Sequence, residues 1–271
     1  MQLRLALHYF GHAPRIELLP DPTQADFLAR VHIGLHAETD SETVVLMQAI
    51  PTRHTNRQRF RDEAVPSVAL AELQNAVEKE GAALQTIEDQ ETRWALANLV
   101  AEADRRQWAD KPFRQELAAW VRPDQSPNND GLSVASQDLG TLMSHAGPFM
   151  IRTFDLGKGH AAKDREIALY SPLLAVLITP QDDPAAWLTV GQALGRFLLR
   201  AEVEGLSTSF LNQPIEIPEL RDQLRQTLSC SGMPQLLLRV GYSAPGRLTP
   251  RRPVREVLFT PPPQLREEEL Q

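Results

Sequence analysis

"SPLLAVLITPQDDPAAWLTVGQALGRFLLRAEVEGL", Ser171–Leu206, is the stretch on which the fold class turns. Its first part is a continuous apolar run with no alternation, far too short to cross a bilayer, and so reads as a strand buried on both faces. Its second part is the strongest helix in the chain. Asp183 stands at the cap and Pro184 at the first helical position, where a missing N–H costs nothing. Trp187, Leu188, Leu194, Phe197, Leu198 and Ala201 supply the expected buried face.

Downstream, "STSFLNQP" reads as a strand or extended loop, "IPELRDQLRQTL" as a helix and "PQLLLRVGYS" as another strand. Upstream, "LRLALHYFGH" has helical apolar spacing without an N-cap and ends at Gly11. "APRIELLPDP" and "FLARVHI" (Phe27–Ile33) alternate as strands of a hairpin with a short connection. Asp40 or Ser41 caps "SETVVLMQAI". "VPSVALAELQNAVEKEG" is a helix with Ser67 as cap, Leu70, Leu73 and Val77 as stripe, and Gly81 as stop. "AALQTIED" is a short strand. A polar helical region then runs from about Glu91 to Trp120, broken near Lys111-Pro112, and "RPDQSPNNDG" opens an excursion to about Gly140. A hairpin, long helices and widely separated strands in that order indicate α+β rather than a doubly wound sheet. Neither GxGxxG nor GxxxxGK[ST] is present.

The chain has 271 residues, a formal net charge of -7 and a sequence pI near 5.6. An acidic chain of this kind argues against general nucleic-acid binding. The single cysteine, Cys230, fits a reducing compartment. The N-terminus has no basic region followed by an apolar run and a small-residue cleavage site, so a cytoplasmic protein without membrane association is expected. Against the acidic background, "IPTRHTNRQRF" (Ile50–Phe60) is conspicuous. Arginine forks, a hydroxyl and an amide fall close together, groups that pair with phosphate. A solvated turn is the bland alternative. "GYSAPGRLTPRRPVREV" (Gly241–Val257) is a second cationic cluster, stiffened by prolines.

These segments jointly resemble the nitroreductase-like flavoproteins, in particular their Acg-like branch. "RHTNR" matches RxTxR, and "LNQPIE", "PQLLLRVGY" and "PRRPV" follow in the family's order over nearly the whole chain. The resemblance implies an α+β fold with a mixed, largely antiparallel sheet flanked by helices, and FMN held in a cleft between two lobes. It assigns Arg53, His54, Thr55 and Arg57 to the flavin phosphate and ribityl chain, with His54 where arginine is common. It adds Arg251 and Arg252 as further phosphate partners. Leu211, Asn212 and Gln213 would meet the isoalloxazine edge through backbone polar groups. The implied activity is hydride transfer from NAD(P)H through the flavin to a nitroaromatic or quinone-like small-molecule acceptor, with no catalytic side chain of the protein's own. A flavin-storage protein with a lid between about Glu91 and Gly140 is the alternative.

The branch's early N-x-Q-P-W segment does not occur here. Residues 1–38 resemble only the rear of the first lobe, 39–260 the FMN-binding lobe, and 261–271 a flexible tail. The expectations are weak FMN retention by the chain alone, a pseudo-dimeric monomer at full length and a possible homodimer for this chain. No metal site is expected: His8 and His12 share a helix face but lack a third ligand. His145 and His160 receive no role, Cys230 reads as packing, and Asp182-Asp183 as helix capping. Trp94, Trp108 and Trp120 read as core or interlobe packing.

Overall fold

The computed structural model describes residues 1–122, 130–133, 149–244 and 251–258. The chain forms two compact units, one of residues 1–111 and 155–246, the other of 112–154 and 247–271. These limits differ from the boundaries at 38 and 260 expected above.

In the larger unit, α1 (Gln2–Tyr9) leads to β1 (Arg15–Leu18) and β2 (Ala29–His32), followed by α2 (Ser41–Ala49), α3 (Ser67–Glu78), β3 (Ala83–Ile87) and α4 (Gln90–Ala109). The chain then enters the smaller unit through α5 (Lys111–Trp120), β4 (Val121–Arg122) and β5 (Leu132–Ser133). It returns with α6 (Gly157–Leu169), β6 (Leu173–Thr179), α7 (Pro184–Val203), β7 (Ser207–Phe210), α8 (Pro218–Thr227) and β8 (Met233–Gly241), and α9 (Val254–Val257) lies again in the smaller unit.

The main sheet has the order β3-β6-β8-β7, and every neighbouring pair is antiparallel. All seven residues of β6 are buried, which accounts for the unbroken apolar run. Strand alternation splits them between two faces. Leu173, Ala175 and Leu177 pack with Leu73 and Val77 of α3 and with Val190, Ala193, Phe197 and Ala201 of α7. Leu174, Val176 and Ile178 pack with Leu96, Ala97 and Val100 of α4, Ala168 of α6 and Leu224 of α8. The result is an α+β arrangement with helices on both sides of an antiparallel sheet.

Local chemistry explains most boundaries. The Asp40, Asp89 and Asp183 carboxylates accept from the backbone N–H groups of Thr43, Thr92 and Ala186, capping α2, α4 and α7. Gly11 and Gly81 stop their helices at φ +80 and +85. The hairpin pairs Arg15 with His32 and Leu18 with Ala29, as the alternation predicts. Its connection, residues 19–28, is longer than expected and is organised by Asp21, which accepts from Thr23 and Gln24. Helix α1 is anchored to this unit: Leu5 packs with Leu46, Ala49 and Leu199, and Arg4 pairs with Glu80, which also accepts from Arg196 at 2.7 Å.

Four expectations need correction. Ser67 is the first residue of α3, while Pro66 holds the cap position without a side-chain bond. Trp187 is 53% exposed, because its indole N–H donates to Asp182 Oδ1 at 2.7 Å on the rim of α7. Of the tryptophans read as packing, Trp108 is buried, whereas Trp94 and Trp120 are exposed. Helix α4 is a core element, with Leu96, Ala97, Val100, Ala101 and Ala103 all buried, so a lid cannot begin at Glu91. Much of the excursion beyond Arg122, His145 and the 261–271 tail lie outside the described residues.

Candidate functional site

The cationic stretch runs along the outer edge of β7. Asn56 N–H donates to Thr208 O at 3.0 Å, and Thr55 forms a parallel bridge with Thr208. Among the described residues β7 ends the sheet, so this edge is otherwise open to pairing. The turn is pinned from beneath. Asn56, 3% exposed, donates through Nδ2 to Ser243 Oγ at 2.6 Å and Ala244 O at 3.0 Å, while its Oδ1 accepts from Gln58 N–H at 3.0 Å. Arg239 of β8, 2% exposed, donates to Gln58 O at 2.8 Å and Asn56 O at 3.0 Å. Its guanidinium lies 4.0 Å from the centre of the Phe60 ring. Burial pulls its pKa down to about 10, with Asp164 opposing and Arg57 adding to the effect.

With the backbone fixed, the expected phosphate ligands stand on one turn. Arg53 is half-buried, and its backbone N–H donates to Ala49 O at 2.9 Å. His54 places Nδ1 3.0 Å from Thr52 O, and its buried Nε2 has no hydrogen-bond partner among the described residues. Thr55 is half-buried. Arg57 is exposed over much of its surface, although the protein around it still lowers its pKa by desolvation. It makes no ion pair or hydrogen bond among the described residues.

Strand β7 runs directly into the second expected segment. Leu211 is 3% exposed and its N–H donates to Leu237 O at 2.9 Å. Asn212 turns inward: Oδ1 accepts from Leu237 N–H at 2.9 Å, and its carbonyl accepts from Ile215 N–H at 2.8 Å. The fold therefore uses Leu211 N–H and Asn212 O, two of the backbone groups expected to face a ring. The N–H groups of Asn212 and Gln213 make no hydrogen bond among the described residues. Gln213 Nε2 donates to Asp164 Oδ2 at 2.9 Å, and its Oε1 is buried without a partner among the described residues.

Three residues were missed from the sequence: Arg239, Asp104 and Asp164. Asp104 is 3% exposed on the core face of α4. Burial, reinforced by the nearby Asp164 carboxylate, raises its pKa to about 7. Burial also raises Asp164 of α6, offset by Lys163 and Arg239. One turn along the same helix seam, Trp108 and His160 stack with ring centres 4.3 Å apart and planes at 14°. Burial, then Lys163, lowers the His160 pKa. A signal existed for two of the three. Arg239 interrupts an apolar strand, and Asp104 continues the apolar stripe of Ala97, Val100 and Ala101.

Arg251 and Arg252 are exposed in the smaller unit, on the approach to α9. Among the described residues no group of His, Cys, Asp and Glu is placed to hold a metal ion, and no helix is long and apolar enough to cross a membrane.

Fold and site together define an α+β protein with an arginine turn laid against an edge strand. No family model matches the chain. The Mycobacterium tuberculosis H37Rv protein Rv3127, uncharacterised by name, is 30% identical over 262 residues, which cover 94% of this chain and 74% of that one. A second protein of that strain, named "Putative NAD(P)H nitroreductase Rv3131", is 28% identical over 274 residues, covering 97% of this chain and 75% of its own. Among solved structures, the FMN-dependent nitroreductase NfnB of Mycobacterium smegmatis, in complex with NADPH, shares the fold at a TM-score of 0.51 and 15% identity, over 81% of this chain and 99% of its own. The chain belongs to the nitroreductase-like family, in its Acg-like branch.

Proposed function

We propose that this chain is an FMN-dependent oxidoreductase of nitroreductase type, accepting hydride from NAD(P)H and passing electrons to a nitroaromatic or quinone-like acceptor. The observation that carries the reading is the sharing of β7. Thr55 pairs with Thr208, and β7 ends at Phe210, immediately before Leu211–Gln213. Extended chain rises ~3.3 Å per residue, so Thr208 to Gln213 spans at most roughly 16 Å. That length suits an elongated ligand with an anion at one end and a polar ring at the other.

The residues present fit FMN. Arg57, without an ion-pair partner among the described residues, suits a phosphate, with Arg53 and Thr55 beside it on the same turn. His54 Nε2 is a buried polar atom lacking a partner among the described residues, as a polar ligand would require. Gln213 Oε1 can accept a ring N–H, and the N–H groups of Asn212 and Gln213 can donate to ring oxygen or nitrogen. Bound FMN supplies the hydride-accepting and electron-donating chemistry. The chain binds and orients it, and no side chain is assigned as catalytic.

The name of the relative Rv3131, "Putative NAD(P)H nitroreductase", and the FMN dependence of NfnB support this reading. The test is to titrate the purified chain with FMN, add NADH or NADPH anaerobically and then supply a nitro or quinone acceptor. Bleaching of bound flavin and its reoxidation by the acceptor are the expected results. Flavin that dithionite reduces but neither nicotinamide does would favour storage. Absence of FMN binding would overturn both readings.

A further inference from the structure

We propose that Asp104 and Asp164 share one proton across the α4–α6 seam, and that this proton positions Gln213 for the ring end of a bound ligand. The inference deepens the flavin reading and rests on it.

The geometry leaves few alternatives for Asp104. Its carboxyl is almost wholly buried, and Oδ2 has no hydrogen-bond donor among the described residues. The neighbouring carboxylate of Asp164 can serve only as an acceptor unless one of the two groups carries a proton. Neither makes an ion pair within 4.0 Å among the described residues, so charge neutralisation by direct contact is absent there. A proton on Asp104 Oδ2 turns the orphaned acceptor into a donor and gives it a partner in Asp164. Burial and the like charge favour this assignment. Asp164 then keeps its acceptor capacity for Gln213 Nε2 at 2.9 Å. The Gln213 amide is thereby fixed with its oxygen able to receive an N–H from a ligand.

Other charges around the pair are distributed. Arg105 lies on α4, Lys163 on α6, and Arg239 on β8, each acting on one of the carboxyls at a distance. His160 sits one turn from Asp164 and is engaged with Trp108. Glu216, beyond Gln213, is occupied by Gln107 Nε2 at 2.6 Å. Loss of the shared proton leaves two buried carboxylates competing for one amide, which draws Gln213 away from a ligand. Ligand affinity should therefore fall as the pair ionises. Asp104 and Asp164 are positioning residues, acting through Gln213.

The test is FMN affinity, read by flavin fluorescence quenching, between pH 6 and pH 8 for the wild type and Asp104→Asn. The asparagine amide can donate to Asp164 without titrating. If one proton is strictly required, wild-type affinity falls about tenfold over that range relative to the variant, because the bound fraction tracks the protonated form. The variant also cancels titration of the FMN phosphate, which both proteins experience. An infrared carboxylic-acid band in ligand-free protein at pH 6, absent from Asp104→Asn, is the second expected readout. Identical pH profiles for the two proteins, or no such band, would overturn the proposal while leaving flavin binding intact. Failure of both proteins to bind FMN at any pH would overturn the flavin reading and the ligand role of the pair with it. A correctly folded variant is confirmed by its circular dichroism. If it fails to fold, Asp104→Ser replaces it, because a hydroxyl also donates without titrating, and a pH profile there identical to the wild type's overturns the proposal.

Discussion

Replacing Asp104 with asparagine should change how the stability of the chain depends on pH. In the folded protein the Asp104 pKa is raised from 3.8 to about 7, chiefly by burial and secondarily by Asp164. Between these values the folded state retains a proton that the unfolded chain has released, so stability falls as pH rises through that window and levels off above it. Below about pH 4 both states are protonated and the effect vanishes. A shift of about three units corresponds to roughly 4 kcal/mol. Because Asp104 is 3% exposed, solvent screening takes little from that figure. The asparagine side chain cannot ionise, and its amide replaces the donor proton. The variant should therefore match the wild type closely near pH 4 and exceed it by about 2–4 kcal/mol at pH 8. Urea unfolding followed by circular dichroism at several pH values measures this directly. Stability–pH curves that run parallel for the two proteins would refute the argument.

Three further outcomes are expected. Arg53→Ala and Arg57→Ala should each weaken FMN binding by roughly 1.5–3 kcal/mol, the range for charged hydrogen bonds, with little change in melting temperature. Phe197→Ala, which empties a fully buried position between α3, α7 and the sheet, should cost about 3–5 kcal/mol in chemical denaturation. Gly157→Ala should destabilise by about 1–3 kcal/mol, because the added methyl would sit 2.8 Å from Trp108 Cβ. Its near-ultraviolet dichroism should show the Trp108–His160 stack disturbed.

The elements most legible in the sequence were those whose signal is local. β6 declared itself through an unbroken apolar run, and α7 through Asp183 and Pro184, where side-chain capping and a fixed φ act within one turn. The hairpin followed from alternation at Arg15–Leu18 and Ala29–His32. Helix α6 was not anticipated. "GKGHAAKDREIAL" opens with two glycines and buries only Gly157, Ala161 and Ala168, so its periodicity is faint. What orders it is contact with α4, a partner many residues away. The arginine turn was recognisable by composition, yet its backing by Arg239 and Asn56 was not, since those bonds join positions more than 180 residues apart. Trp187 misled for a related reason: its spacing fits the apolar stripe, but Asp182 and the adjacent surface offer the indole N–H a partner.

The pairing of Thr55 and Asn56 with Thr208 has a consequence for solubility. A bare terminal strand invites a neighbouring molecule to continue the sheet. Here the residues proposed to grip a phosphate also act as a cap on that edge, and Arg57 adds a charge that a second chain would have to desolvate. Selection on ligand affinity and selection against self-association thus act on the same few positions. A variant that loses the turn should be recovered as aggregate before it is recovered as an inactive monomer.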